Sequence, residues 1–417
     1  MSPAAWTAGR AQDHLLSLEL FGMRFGLDRM QALTAALGRP QDRFSSIHVV
    51  GTNGKSSTVR MTAAILAAHG VRTGAYLSPH LTSFVERIHI DGADLGAAAF
   101  GAAVQRAAAA AEQVDRTRAA DDGVTQFECL TAAAYDELAR AGVEVAVVEA
   151  GLGGRHDATN VLGSRIVVLT NVGLEHTRWL GTTVTDIACE KLAVLHDDAT
   201  LVVAEGLHPD AMREARAAAR RHSARIVHAE PAWAGELAAQ GAFQRRNFAL
   251  ARAAAAAHLG VLDEDRVRRV AATVQVPGRF EVVARDPLTI VDGAHNQPGI
   301  AAAVASLPAG VDTVGVVSIL DDKDARGMLE LLLGRCRALV LTSNPNPRAM
   351  APAALEALAR ELGTPVSRLR VESDPRRALE LARGLAGPRG AVLATGSIYL
   401  VAELLTQPGR PRAMSTL

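Results

Sequence analysis

Short apolar, β-branched runs alternate along this chain with longer Ala-, Leu- and Arg-rich segments of helical period. That alternation predicts strands joined by crossover helices in a mostly parallel sheet. Strands are expected over residues 47–50, 73–77, 143–149, 166–170, 200–204 and 225–228. Helices are expected over 55–69, 95–111, 126–141, 184–195, 208–221 and 245–258. The alanine runs 107–111 and 253–257 read as helix interiors, where alanine costs least. After Pro277 the pattern restarts, with strands expected over 288–291, 313–318, 338–342 and 391–394. The expected organisation is a domain over 1–277, a hinge over 278–287 between prolines, and a smaller α/β domain over 288–417. A ligand cleft between two such domains is the default site.

A length of 417 residues suits two domains or three, each with its own core. Lys plus Arg and Asp plus Glu both number 44, so no net field favours nucleic acid or an acidic membrane surface. Cys129, Cys189 and Cys336 form no CxxC pair, which argues against a disulfide framework or a thiolate zinc site and for a reducing cytoplasm. Residues 1–12 lack a basic segment leading into an apolar run, and no apolar stretch reaches the roughly 18 residues of a membrane span. Neither export nor membrane insertion is expected.

The stretch "IHVVGTNGKSSTVRM" carries the first candidate chemistry. A strand ending at Val50 leads into Gly51, Thr52, Asn53, Gly54, Lys55, Ser56 and Ser57 and then a helix. The glycines free backbone N–H groups to face an anion, and Lys55 and the helix N-terminus add positive potential. The full phosphate-loop pattern wants glycine six positions before the lysine, where Val49 stands. The alternative is a plain strand-to-helix turn with a serine cap.

Other candidates also follow strand ends. Ser78 begins "SPH", a hydroxyl for a metal or simply a turn. Phe127 and Glu128 open a helix, where a carboxylate also favours the helix dipole. Glu149 closes an apolar strand before Gly151, Gly153, Gly154, Arg155, Asp157 and Asn160, a placement suited to organising Mg2+ or to a solvated carboxylate. His176 is either a ligand or a structural hydrogen-bonder. Lys191 sits in an apolar helix, so it is neutralised or paired if buried, or else snorkels to solvent. Past Pro277, Arg279 suits bidentate phosphate contact, and Asp292 and His295 follow a strand.

Together these stretches are more specific than any one alone. GTNGK, SPHL, VERI, the FE pair, GLGGR with DATN, GL with H, EK, and PGRF with DGAHN occur in an order that resembles the folylpolyglutamate synthase and dihydrofolate synthase family of the Mur ligase superfamily. The resemblance runs from "FGLDRM" at Phe25 through "DDKD" at Asp321 and "NPNPR" at Asn344 to "GSIYLVAE" at Gly396. It implies a P-loop-type, mostly parallel N-terminal ATPase domain, a Rossmann-like C-terminal domain, and a usually monomeric enzyme. It also implies an ATP- and Mg2+-dependent ligation of L-glutamate to a folate or dihydropteroate through an acyl phosphate.

By the same resemblance, Gly51 to Ser57 form the ATP loop, joined by Asn247, Arg279 and Asp292, while Ser78, Glu149 and His176 hold the metal. Phe127, Glu128, Gly153, Gly154 and Arg155 fall where the family binds its pterin substrate. Lys191 matches a carbamylated lysine and, with Asp292 and His295, belongs to the catalytic set. Two departures stand out. Ser56 replaces the usual glycine, leaving either Ser56 or Ser57 to meet the metal, and Arg24-Phe25 stand where bifunctional enzymes often carry an aspartate. The rival readings are a Mur-type peptidoglycan amino-acid ligase, for which residues 1–50 are too short a nucleotide-sugar domain, and a non-catalytic nucleotide-binding module.

Overall fold

The computed structural model describes residues 4–18, 26–119 and 121–406. They fall into two compact units. The first comprises the chain up to Glu236 together with Arg246–Val274, and the second Leu237–Arg245 with the chain from Gln275 onward.

The first unit is built on eight strands: β1 (Ser45–Val50), β2 (Thr73–Tyr76), β3 (Ile88–Ile90), β4 (Ala93–Asp94), β5 (Val145–Glu149), β6 (Ile166–Leu169), β7 (Thr200–Val203) and β8 (Arg225–His228). Their spatial order is β4-β3-β2-β5-β1-β6-β7-β8, with β2 through β8 of that list parallel and β3 and β4 antiparallel at one edge. Every residue of β5 is buried. Helices cover both faces of such a strand, which is why it reads as a continuous apolar run with Glu149 at its end.

Strands β3 and β4 lie outside the sequence expectation because they are only three and two residues long. Their signal was the Asp91-Gly92 pair, whose positive φ values of 50° and 83° suit the tight turn between short antiparallel strands. Asp91 Oδ1 also accepts the Thr73 amide at 2.9 Å, tying this hairpin to β2.

The second unit holds β9 (Glu281–Arg285), β10 (Leu288–Val291), β11 (Thr313–Val317), β12 (Ala338–Leu341), β13 (Leu369–Val371) and β14 (Ala391–Thr395), ordered β13-β12-β11-β14-β10-β9. All neighbours are parallel except β9 on β10. The expected hinge over 278–287 is thus corrected. That segment contains β9, which turns at Asp286-Pro287 and pairs back on β10 with Arg285 opposite Leu288. Prolines bracket an edge strand here, a position that tolerates them, and not a free linker. The second unit's core gathers Phe280, Ile300, Met328, Leu332, Leu339, Leu355 and Leu393 between sheet and helices.

Candidate active site

Four adjacent strands, β2, β5, β1 and β6, deliver the candidate groups at their C-terminal ends, where parallel sheets present ligand sites. From β1 the chain enters the phosphate-loop candidate. Gly51 has φ 150°, and a Cβ there would collide with Thr170 Oγ1 just past β6. Gly54 caps the helix Lys55–Ala68 in the left-handed region at φ 84°, and a Cβ on it would stand 2.6 Å from Asn247 Oδ1. Both positions therefore require glycine. Thr170 Oγ1 donates to the Asn53 carbonyl at 2.7 Å, and Asn171 Oδ1 accepts the Asn53 amide at 2.8 Å. Thr52 exchanges bonds with Gly173, accepting its amide at 3.1 Å and donating to its carbonyl at 3.3 Å. The loop is thus fastened along its length to the chain that leads to His176.

Glu149, at the end of β5, is 2% exposed and spans two of the predicted elements. Its Oε1 accepts from Ser56 Oγ at 3.0 Å, and its Oε2 accepts the Ser78 amide at 3.1 Å. Ser56 rather than Ser57 thus offers its hydroxyl to the carboxylate, while Ser57 is buried in the helix. The Ser78 turn is held from behind by Glu86, which accepts the amides of Leu81, Thr82 and Ser83 at 2.8 to 2.9 Å. His176 lies in the left-handed region at φ 51° with Nε2 4.0 Å from the Glu175 carboxylate.

Lys191 settles its own question: it is 5% exposed, so it does not snorkel. Its Nζ donates to the Gly51 carbonyl at 2.8 Å, and Lys55 Nζ donates to the Thr52 carbonyl at 3.1 Å. Burial, and then the charge of Lys55, push the Lys191 ammonium down to about 7, against the opposing pull of Glu175 and Asp157.

The glycine loop after β5 packs on the end of the helix that carries Lys191. A Cβ at Gly154 would lie 2.6 Å from the Glu190 carbonyl and 2.7 Å from that of Lys191, and Gly153 sits at φ 70° beside Leu180. Arg155 donates its amide to the Glu190 carbonyl at 3.0 Å and its Nε to the Glu190 carboxylate at 2.8 Å. Phe127 faces Gly151 across a gap that a Cβ would narrow to 2.7 Å. Glu128 is committed elsewhere: it accepts from Thr125 in a capping box and pairs with Arg29 Nε at 3.1 Å. Arg24 and Phe25 lie outside the described residues.

In the second unit, Asp292 directly follows β10, is 3% exposed, and accepts the amides of Phe280 and Ala294, both at 2.8 Å. Burial raises its carboxyl pKa against the lowering effects of Arg279 and these two amides. The Arg279 guanidinium lies against Gly293, and His295 Nδ1 is 2.9 Å from the Gly293 carbonyl. Asp292, Arg279 and His295 are therefore one cluster.

Among the described residues no group of three or more His, Cys, Asp or Glu side chains could hold a metal ion. Glu149 with the hydroxyl of Ser56 nevertheless fits a hard cation such as Mg2+, which takes one or two protein carboxylates and completes its shell with phosphate and water. Sequence reading missed Thr170 and Asn171, which anchor the loop. Their signal was a polar pair directly after an apolar strand.

A phosphate-type loop, a strand-end carboxylate and a second α/β unit define a Mur-type ligase. The Mur ligase glutamate ligase domain family matches residues 278–398 of this chain. Over 439 aligned residues the chain is 34% identical to the dihydrofolate synthase/folylpolyglutamate synthase of Mycobacterium tuberculosis, covering 92% of this chain and 90% of that protein. The chain belongs to the dihydrofolate synthase/folylpolyglutamate synthase family. Its fold is similar to that of the M. tuberculosis folylpolyglutamate synthase complexed with ADP, with a TM-score of 0.90 at 33% identity over 97% of this chain and all of that one. It is also similar to the Yersinia pestis bifunctional enzyme complexed with AMPPNP and a manganese ion, with a TM-score of 0.83 at 28% identity over 96% of this chain and 97% of that one.

Proposed function

We propose that this chain is an ATP-dependent ligase that joins L-glutamate to a folate-type acceptor, a reduced folate or dihydropteroate. The carrying observation is the Glu149 carboxylate, whose two oxygens join the phosphate loop through Ser56 to the Ser78 turn. That is where a nucleotide's terminal phosphates and a divalent cation are to be organised. The acceptor carboxylate attacks the γ-phosphorus of ATP and ADP leaves; the glutamate amine then attacks the acyl carbon, and phosphate leaves. The chemistry gathers negative charge, so the chain's task is to position anions and stabilise the transferring phosphoryl group.

Backbone N–H groups of the glycine loop and Lys55 receive the phosphates. Asn247, packed beside Gly54, reaches the nucleotide. A bound Mg2+ would neutralise the β- and γ-phosphate oxygens, with Glu149, Ser78 and His176 as its protein-side neighbours. Gly153, Gly154 and Arg155, with Phe127 across from Gly151, form the face for the pterin-type acceptor. The motif assigns Arg279 and Asp292 to ATP and places His295 beside them.

Lys191 is to be carbamylated. An ammonium brought down to about 7 supplies neutral amine near neutral pH, and the nitrogen then bonds to CO2 with loss of one proton, replacing a buried cation by an anion. Intact-mass analysis of gently handled protein, before and after acid, detects or excludes this group.

The deciding assay supplies ATP, Mg2+ and labelled glutamate with tetrahydrofolate or with dihydropteroate. Label entering either product supports the ligase, and the pattern of uptake assigns the acceptor. Uptake only with a sugar-nucleotide peptide, or ATP binding with no turnover on any acceptor, overturns it.

A further inference from the structure

One enclosed polar group on β1 takes no part in the chemistry above. His48 stands three residues before Gly51, fully buried, with Nε2 2.8 Å from Thr159 Oγ1. Thr159 Oγ1 bonds in turn to Asp157 Oδ1, which also accepts the Thr159 amide at 3.0 Å. The other carboxylate oxygen accepts the Leu152 amide at 2.7 Å, and the Gly151 amide adds a further bond to this group. Tyr135 donates to the Thr159 carbonyl at 3.3 Å.

Counting protons fixes the direction of this chain. Burial raises the Asp157 carboxyl pKa, while the donors from Thr159, Leu152 and Gly151 pull it back and all point at it, the arrangement that an ionised carboxylate satisfies. The one hydroxyl proton of Thr159 therefore points at Asp157, and its oxygen accepts from His48. The imidazole is thus the Nε2–H tautomer, kept neutral by burial, with its pKa lowered to about 3. Nδ1 has no hydrogen-bond partner, so this tautomer strands a lone pair and not an N–H.

The consequence is geometric. Strand β1 carries the phosphate loop at its end, and through His48 it also holds the loop of residues 151–155. We infer that His48 is a positioning residue, acting through Thr159 and Asp157 to fix the glycine loop against which the acceptor docks. This rests on the ligase reading above.

The test uses the full chain, MgATP, glutamate and whichever acceptor the wild type uses. His48→Leu raises the acceptor KM about tenfold, the effect of one buried hydrogen bond, and leaves the ATP KM and kcat within about twofold. Thr159→Val does the same, and the double variant is no worse than either single one. His48→Gln, which restores a donor, recovers most of the loss. Amide exchange over residues 150–160 is faster in His48→Leu than in the wild type. A folded His48→Leu with wild-type acceptor KM and wild-type exchange overturns the inference. If that variant does not fold, Thr159→Ser against Thr159→Val decides, and equal acceptor KM values in those two overturn it. A wild type without acceptor-dependent glutamate uptake sinks the ligase reading alone, because the exchange experiment still reports on His48.

Discussion

Replacing Lys191 by methionine should change how stability depends on pH. Burial, helped by Lys55, brings the ammonium from 10.5 to about 7 in the folded chain. At about 1.4 kcal/mol per pKa unit, holding the charged form buried costs on the order of 5 kcal/mol. The sign follows from proton counting. Between the two pKa values the unfolded chain binds more protons than the folded one, so stability rises with pH across that window, and the cost is present in full below about 7 and gone above 10.5. Linkage then gives the wild type a gain of about 2.5 kcal/mol from about pH 6.5 to about pH 9, which Lys191→Met lacks.

Urea denaturation followed by tryptophan fluorescence in CO2-depleted buffer measures the difference. Trp6, Trp179 and Trp233 all belong to the first unit, so the signal reports the unit that holds Lys191. Parallel pH profiles for wild type and variant would show that Lys191 is not a desolvated cation. Adding bicarbonate should flatten the wild-type profile and leave the methionine variant unmoved, because a carbamate removes the buried positive charge.

Three further substitutions probe the rest of the site. Glu149→Gln should cut glutamate-dependent ADP release by about two orders of magnitude or more, since it removes the charge shared by Ser56 and Ser78, and steady-state kinetics against Mg2+ concentration read this out. Gly54→Ala forces a side chain into φ 84° against Asn247, so its urea midpoint should fall by an amount worth about 1 to 3 kcal/mol and ADP affinity should drop in calorimetry. Glu128→Ala leaves Arg29 buried without this carboxylate and breaks the cap at Thr125, a loss of about 3 kcal/mol by denaturant titration. A change in acceptor KM with unchanged stability would instead assign Glu128 to the pterin.

How much was legible beforehand follows from the physics of each element. Central strands such as β5 announce themselves because both faces are buried and no polar residue interrupts them. The end of β5 likewise marked Glu149, since a carboxylate closing an apolar run is conspicuous. Edge strands do not announce themselves: β9 alternates half-buried and exposed residues between prolines, and so it resembled a linker. The pairwise fastening of the site was invisible for a different reason. Thr170, Asn171 and His48 act on residues more than 100 positions away, and only strand order brings them together. Glu128 is the converse case, where a local pattern fitted both a cap and a ligand, and its buried ion-pair partner, Arg29, lay 99 residues upstream.

The departure at Ser56 then acquires a physical meaning. A glycine at that position could offer Glu149 no side-chain donor from the phosphate loop. With Ser56 Oγ at 3.0 Å from one oxygen and the Ser78 amide at 3.1 Å from the other, Glu149 is gripped from both neighbouring strand ends, β1 and β2. Lys191, bonded to the Gly51 carbonyl, stands on the same loop from the direction of the glycine-rich turn. The loop is thus a junction at which the anion cradle, the carboxylate and the buried lysine share one piece of backbone. A substitution at any of the three should be felt at the other two, and the serine hydroxyl ties the cradle to the carboxylate directly.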